Sequence, residues 1–199
     1  MSPKVGMPPV RRAQIVRATI RCLARDGYAR LTMKKVARDA GVSQGILHYY
    51  FRDKHDILAA ALRTVATDLN RRVTVAQARG PRDARSRLSA VVRACLEVAL
   101  EEREVWAVFI EFWGEMLHDD ELRAINTDIY TKARGALGDL VAEGQRAGLF
   151  RAVRPAEAAA VILALVDGLS LQLTFEPDGR RAARAARLVD DALMRYLTR

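Results

Sequence analysis

Four residues suited to contacting a large polar partner fall on one side of a predicted short helix. Gln44, Gly45, His48 and Tyr49 share a face, because residues three and four positions apart lie on the same side of an α-helix. A glutamine can form two hydrogen bonds to one adenine edge, and a glycine lets the backbone approach a partner closely. These residue types predict a surface that reads DNA bases.

Two short helices joined by a tight turn must position this face. The first helix ends at Gly41, since glycine adopts the left-handed backbone conformation without a steric penalty. Ser43 then caps the second helix, which would bury Leu47 and Phe51. This arrangement predicts a helix-turn-helix whose second helix enters the DNA major groove. An ordinary helical hairpin inside a core is the alternative, but it does not explain the polar outward face.

The charge of the chain is concentrated around this motif. Residues 1–55 carry 12 Lys and Arg against 3 Asp and Glu, whereas residues 56–199 carry 21 of each. The whole formal net charge of +9 therefore lies in the N-terminal segment, where it favours attraction to phosphate groups. Residues 1–9 contain three prolines and one basic residue, Lys4, and predict a mobile arm.

Nine residues in and around the motif are expected to contact DNA. Lys54 stands in the first turn of a helix, where a cation opposes the helix dipole, and a nearby phosphate would explain that placement. Thr32 is placed to cap a helix, and it could also bind a phosphate. The predicted set is Thr32, Lys34, Ser43, Gln44, Gly45, His48, Tyr49, Tyr50 and Lys54.

The remainder of the chain predicts further helices, because apolar residues recur at intervals of three and four and no segment alternates as a strand does. Gly80-Pro81 is the clear break. We therefore predict an all-α protein of two domains. A three-helix helix-turn-helix DNA-binding domain would occupy residues 1–54, and a helical effector-binding and dimerisation domain would occupy residues 55–199.

The last two predicted helices, at about residues 155–175 and 180–196, carry more apolar side chains than a terminal pair of helices needs. We expect them to pack as a four-helix interface in a homodimer. The interface residues would include Ile162, Leu165, Leu169, Leu173, Leu188 and Leu193. Asp167 and Gly168 interrupt this apolar run, which favours a buried or dimer-forming helix over a membrane span.

An aromatic segment at residues 104–118 is the candidate for a ligand site. Its aromatic and aliphatic residues share one helix face, and residues 97–121 contain nine acidic side chains against one basic. Aromatic faces beside carboxylates suit a small organic cation with a quaternary ammonium group. A hydrophobic core explains the same stripe equally well, and a hydrogen bond to a neighbouring helix or across a dimer interface would explain Asp167. The predicted ligand-binding residues are Trp106, Phe109, Ile110, Trp113, Tyr130 and Asp167.

Motifs of enzymes and metal sites are absent from the sequence. There is no HExxH motif, no Walker loop and no glycine-rich βαβ fingerprint, so we expect no catalytic residue, metal or cofactor. Cys22 and Cys95 lie in apolar helical patterns without metal-type spacing. Two buried reduced thiols and the lack of a signal-peptide core predict a cytoplasmic protein.

The segment Ala40-Gly41-Val42-Ser43, followed by Gly45, Tyr49, Tyr50, Phe51 and Lys54, resembles the TetR family of bacterial transcriptional regulators over roughly residues 8–60. Many members have tyrosine where this chain has His48, which leaves base preference there open. The resemblance implies a homodimer, an inverted-repeat operator and a C-terminal ligand pocket that controls DNA affinity. The alternatives are an architectural, nucleoid-associated DNA-binding protein without an effector and, less favoured, a helical enzyme or interaction protein.

Overall fold

A computed structural model describes residues 8–79, 83–101, 103–175 and 179–198. These residues form nine helices and no strand, which confirms the all-α prediction. The helices are α1 Pro8–Asp26, α2 Met33–Asp39, α3 Gln44–Tyr50, α4 Lys54–Arg79, α5 Ala84–Glu101, α6 Arg103–Met116, α7 Asp120–Arg146, α8 Pro155–Phe175 and α9 Gly179–Thr198. The break at Gly80-Pro81 and residues 1–7 of the predicted arm, with Lys4, lie outside the described residues, and Pro8 and Pro9 begin α1.

The helices group into two compact units. Unit 1 contains the described residues up to Ala66 together with Ala107–Ile125. Unit 2 contains those of Thr67–Trp106 and Asn126–Arg199. The domain boundary between residues 54 and 55 stays a prediction.

Unit 1 is built around an apolar stripe on α1, whose members recur at the helical period. Ile15, Ala18 and Cys22 are completely buried, and Leu23 is nearly so. Thr19 is buried in the same stripe because its hydroxyl donates to the Ile15 carbonyl at 3.0 Å, which satisfies its polar group. The stripe therefore gives the helix-turn-helix a rigid base, since buried side chains in a close-packed core have little freedom to move.

Unit 2 has its own core, in which α5, α8 and α9 pack on one another. Apolar residues of α7 also belong to this core. Its members include Leu88, Leu96, Val141, Ile162 and Leu193, each at most 1 % exposed. An ion pair of 2.7 Å joins Arg87 on α5 to Glu143 on α7. By length and composition alone α8 could cross a membrane, but its buried side belongs to this helical core.

The predicted dimer interface needs correction. Ile162, Leu173 and Leu193 are at most 4 % exposed and belong to the core of unit 2, so they have no surface to offer a second copy. Leu165 and Leu188 are 37 % and 65 % exposed and stay candidates for an interface. Leu169, the sixth predicted residue, is half-buried and packs against the same core. Three of the six residues predicted for the dimer interface are therefore buried in the core of unit 2.

Candidate nucleic-acid interface and effector site

Side-chain caps begin the two short helices of the predicted motif. Thr32 Oγ accepts the backbone N–H of Lys35 at 3.3 Å at the start of α2. Ser43 Oγ accepts the N–H of Ile46 at 3.2 Å at the start of α3. Each cap satisfies a backbone donor that a helix end otherwise leaves unpaired. Thr32 and Ser43 thus fix where the helices begin, whatever else their hydroxyls bind.

The turn between α2 and α3 is held by glycine geometry and by a hydrogen bond from α1. Gly41 has a φ of 64°, the left-handed value expected from its position. The side-chain amide of Gln14 donates to the Ala40 carbonyl at 2.7 Å. This contact, which the sequence did not predict, joins the turn to the first helix between residues that are 26 positions apart in the sequence.

The outward face of α3 carries the residues predicted to read DNA. Gln44, Gly45, His48 and Tyr49 are exposed, and Tyr49 is 80 % exposed, whereas Leu47 is completely buried. A Cβ atom built on Gly45 would approach no group within 4 Å except Ser43 Oγ at 3.9 Å. Nothing inside the described structure therefore requires glycine at position 45, although glycine destabilises a helix relative to alanine.

Tyr50 differs from its neighbour because it is half-buried. Its ring meets the ring of Tyr49 edge to face, with centroids 5.0 Å apart. Such a contact is favourable for aromatic rings and holds Tyr49 in position. Of the two tyrosines in the predicted set, Tyr49 therefore offers far more surface to a partner.

Lys54 has a role within the chain that the sequence did not predict. Its Nζ donates to the Tyr28 carbonyl at 2.9 Å and lies 3.9 Å from the centre of the Tyr28 ring. Burial lowers the pKa of Lys54 below its ordinary value. These contacts supply a reason for a cation at the start of α4, so the dipole argument no longer requires a phosphate there.

Some of the basic side chains in the N-terminal segment form ion pairs between α1 and α2. Arg25 pairs with Asp39 at 3.1 Å, and Lys35 pairs with Asp26 at 3.3 Å. The guanidinium of Arg25 holds the pKa of Asp39 below its usual value. Lys34 is exposed on α2 and forms no ion pair among the described residues, which leaves its charge available to a phosphate.

Carboxylates at the corner between α6 and α7 contact the N-terminal helices inside unit 1. Glu111 accepts the backbone N–H of Tyr28 at 2.9 Å, and Glu121 pairs with Arg63 at 3.3 Å. Burial and a hydrogen bond to Glu115 raise the pKa of Tyr28. The acidic excess that suggested a cationic ligand therefore serves, in these three residues, to hold the helix-turn-helix.

His55, at the start of α4, makes this corner sensitive to pH. Its Nε2 lies 2.7 Å from the carboxylate of Asp119, and Glu121 and Asp53 add negative charge nearby. The hydrogen bond to Asp119 raises the pKa of His55 above 6.5. A raised folded-state pKa contributes stability that is fully present below the unfolded value and is lost as pH rises through the folded value.

We therefore expect wild-type protein to lose part of its stability as pH rises from the ordinary pKa of histidine through the raised pKa of His55, because this ion pair is then lost. A His55→Gln variant should lack that part of the pH dependence, because glutamine does not titrate. Urea unfolding followed by circular dichroism at a series of pH values measures the difference. Parallel pH profiles for the two proteins would contradict the assignment.

Two of the predicted ligand-binding residues meet in unit 2. The Tyr130 hydroxyl on α7 donates to the Asp167 carboxylate on α8 at 2.7 Å. Burial raises the pKa of Asp167, although the hydrogen bond from Tyr130 acts in the opposite direction. The hydrogen bond to a neighbouring helix that could explain Asp167 is thus present, and the pair is a half-buried polar contact between α7 and α8.

The four predicted residues on α6 differ in exposure. Trp106 and Phe109 are 6 % and 5 % exposed, whereas Ile110 and Trp113 are half-buried. Trp106 belongs to unit 2, and the other three belong to unit 1. Their role in ligand binding stays a prediction.

A separate groove of about 470 Å³ lies in unit 2 and contains none of the predicted ligand residues. It is lined by Ala76, Arg85, Ser86, Ser89, Ala90, Arg93, Ala94, Glu97 and Asp190. Across the described ranges no group of three or more His, Cys, Asp or Glu side chains is placed to bind a metal ion.

Comparison with known proteins extends over both parts of the chain. Residues 15–61 match the family model of bacterial regulatory proteins of the tetR family. Residues 81–198 match the model of the C-terminal part of BetI-type transcriptional repressors. The two matches do not overlap, and together they cover most of the sequence.

Similar proteins agree with this assignment. The transcriptional regulator BetI of Burkholderia cenocepacia is 36% identical over 183 residues, covering 91% of this chain and 92% of its own. That of Vibrio atlanticus is 30% identical and covers 98% and 96%. A transcriptional regulator from Saccharomonospora viridis, solved in complex with choline, has a TM-score of 0.86 at 27% identity and covers 96% and 99%. The chain therefore belongs to the TetR family of transcriptional regulators and has a C-terminal domain of the BetI repressor type.

Proposed function

We propose that this protein is a cytoplasmic repressor that binds an inverted-repeat operator as a homodimer and that a small organic cation such as choline changes its affinity for DNA. Regulators of this family act by binding and are not enzymes. The observation that carries the DNA-binding half is the exposed face of α3, which includes Gln44 and His48.

In this proposal Gln44, His48 and Tyr49 approach base edges, Gly45 permits a close backbone approach, and Thr32, Lys34, Ser43, Tyr50 and Lys54 contact or face phosphates. A glutamine at the start of a recognition helix can form a bidentate pair with adenine. The exposed Lys34 offers a charge to the backbone. Lys54 would have to share its ammonium group between the Tyr28 carbonyl and a phosphate, which its three donors permit.

The effector half of the proposal is supported by the half-buried pair of Tyr130 and Asp167 and by the choline that the related regulator from Saccharomonospora viridis binds. Ligand binding by the aromatic Trp106, Phe109 and Trp113 and by the aliphatic Ile110 stays part of the proposal, because aromatic rings attract an ammonium group. Exposed apolar residues on α8 and α9, among them Leu165 and Leu188, would contribute to the homodimer.

Binding to the DNA upstream of the chain's own gene tests the proposal. Fluorescence anisotropy should give an affinity for that duplex at least about 1,000-fold above the affinity for a scrambled duplex of the same length at the same salt. Gln44→Ala should lower this ratio, because it should weaken binding to the specific duplex by about 1–3 kcal/mol. Equal affinity for both duplexes, with the same salt dependence, would instead indicate an architectural DNA-binding protein.

A further inference from the structure

The inner side of the recognition helix α3 is held by apolar burial. Leu47 is completely buried and Phe51 is 1 % exposed, so both anchor α3 within unit 1. Burial of apolar surface is a strong but non-directional driving force. Hydrogen bonds are directional, and they therefore add what apolar burial does not supply, a preferred angle for the outward face of the helix.

The turn before α3 contains a residue that side-chain packing does not restrain. Gly41 has a φ of 64°, and a Cβ built on it would meet no atom within 4 Å. Glycine adopts many backbone conformations at little cost. Because α3 begins at Gln44, only three residues later, a change of the backbone angles at Gly41 would turn the start of the recognition helix.

A hydrogen bond from Gln14 on α1 restrains the peptide group next to this glycine. The side-chain amide donates to the Ala40 carbonyl at 2.7 Å, and that oxygen belongs to the planar peptide joining Ala40 to Gly41. Ala40 follows the last residue of α2 and is 3 % exposed. The last carbonyls of a helix have no partner inside the helix, so Gln14 supplies a donor exactly where the backbone needs one.

The orientation of the Gln14 amide is fixed by a second contact. The Arg11 guanidinium donates to Gln14 Oε1 at 2.9 Å. A side-chain amide has an oxygen that accepts and a nitrogen that donates, so an oxygen facing Arg11 leaves the nitrogen to face the Ala40 carbonyl. The buried stripe of α1, with Ile15 and Ala18 completely buried, holds this donor on a rigid helix.

We propose that Gln14 is a positioning residue for reading the operator. By holding the peptide between Ala40 and Gly41, it fixes the angle at which α3 presents Gln44, the first residue of the helix and the nearest to the turn. Gln14 then contributes to discrimination between DNA sequences and not to DNA affinity in general. This inference rests on the proposed function, because it concerns the same contact of Gln44 with base edges.

Gln14→Met removes the donor while keeping the length of the side chain. Position 14 is exposed, so the variant should fold, which circular dichroism checks. Fluorescence anisotropy of the full-length protein should show a ratio of operator affinity to scrambled-duplex affinity about tenfold below that of the wild type, a part of what one good bidentate base contact supplies. Affinity for the scrambled duplex should change by less than about twofold with the same salt slope, because no phosphate-binding cation is lost.

A double-mutant cycle with Gln44 separates positioning from a merely structural role. In a Gln44→Ala background, Gln14→Met should lower the affinity ratio by no more than about threefold, because the contact that depends most on the angle is already absent. A tenfold loss in both backgrounds would show that Gln14 acts independently of Gln44 and would overturn the proposal.

Gln145→Met is the matched control. The Gln145 amide donates to the carbonyls of Arg151 and Val153 at 2.9 and 2.7 Å in unit 2, so the substitution removes the same kind of contact away from the helix-turn-helix. Its affinity ratio should stay within about twofold of that of the wild type. An equal loss of discrimination in Gln145→Met and Gln14→Met would instead indicate a general effect of lowered stability.

The wild-type measurement distinguishes failure of this inference from failure of the proposed function. If the wild type prefers the operator and Gln14→Met prefers it equally, the role of Gln14 is wrong while the proposed function stands. If the wild type binds the operator and the scrambled duplex with equal affinity, both are wrong.

Discussion

Gly45→Asp is expected to abolish specific operator binding while leaving the protein folded and about as stable as the wild type. Position 45 is exposed on α3, and a side chain there meets only Ser43 Oγ at 3.9 Å. A carboxylate in the first turn of a helix interacts favourably with the helix dipole. The same carboxylate would face phosphates and base edges, where like charges in contact cost several kcal/mol. We expect at least about a 100-fold loss of affinity by fluorescence anisotropy.

Gly45→Ala is the matched substitution that separates DNA contact from stability. Alanine should raise the free energy of unfolding by about 0.5–1 kcal/mol, because it lowers the entropy of the unfolded chain without meeting any neighbour. It should nevertheless weaken operator binding, because the added methyl group keeps the backbone away from DNA. An alanine variant that is more stable and binds the operator as tightly as wild type would contradict the close approach at position 45.

Phe51→Ala should destabilise the protein by about 3–5 kcal/mol. Phe51 is 1 % exposed and is one of the largest fully buried side chains. Its N–H bonds the Leu47 carbonyl at the end of α3, and the Arg12 guanidinium lies 4.8 Å from the centre of its ring. Removing the ring leaves a cavity between the recognition helix and its supports. Urea unfolding followed by circular dichroism measures the change.

Phe175→Ala provides the control for the same chemical change on the surface. Phe175 is 74 % exposed at the end of α8, so its loss should alter the free energy of unfolding by no more than about 0.5 kcal/mol. Phe51→Ala should also lose operator binding under conditions where Phe175→Ala retains it. Equal stability losses in the two variants would show that Phe51 does not support the recognition helix.

Features of the fold that depend on neighbouring residues could be predicted from the sequence. Gly41 adopts the left-handed conformation, and Thr32 and Ser43 cap their helices, because each of these outcomes depends on the preceding and following few residues. The buried stripe of α1 follows from the helical period alone. The exposed face of α3 was predictable for the same reason.

Contacts between residues far apart in the sequence were not predictable in this way. Glu111 and Tyr28 are separated by 83 residues, so no local pattern reveals that the carboxylate serves the N-terminal unit. The contacts of Lys54 with Tyr28 belong to the same category. Gly144 gives another example, because a Cβ there would approach Cγ of the Phe150 ring at 2.9 Å, a packing requirement that a helical pattern does not reveal.

The apolar composition of α8 explains why its partners were assigned incorrectly. Val161, Ile162 and Leu165 lie close together in sequence, yet Ile162 is in the core while the other two are each 37 % exposed. When a helix is apolar on most of its surface, its sequence does not show which side is buried. Core and interface residues therefore look alike in such a sequence, and only the packed structure separates them.

The most direct test of ligand-responsive regulation is the affinity of the full-length protein for the operator duplex at increasing concentrations of choline. We expect a change of at least about fivefold in operator affinity at saturating choline. Because coupling between two binding sites is reciprocal, saturating operator should change choline affinity by the same factor. Tight choline binding that leaves operator affinity unchanged would contradict ligand-responsive regulation.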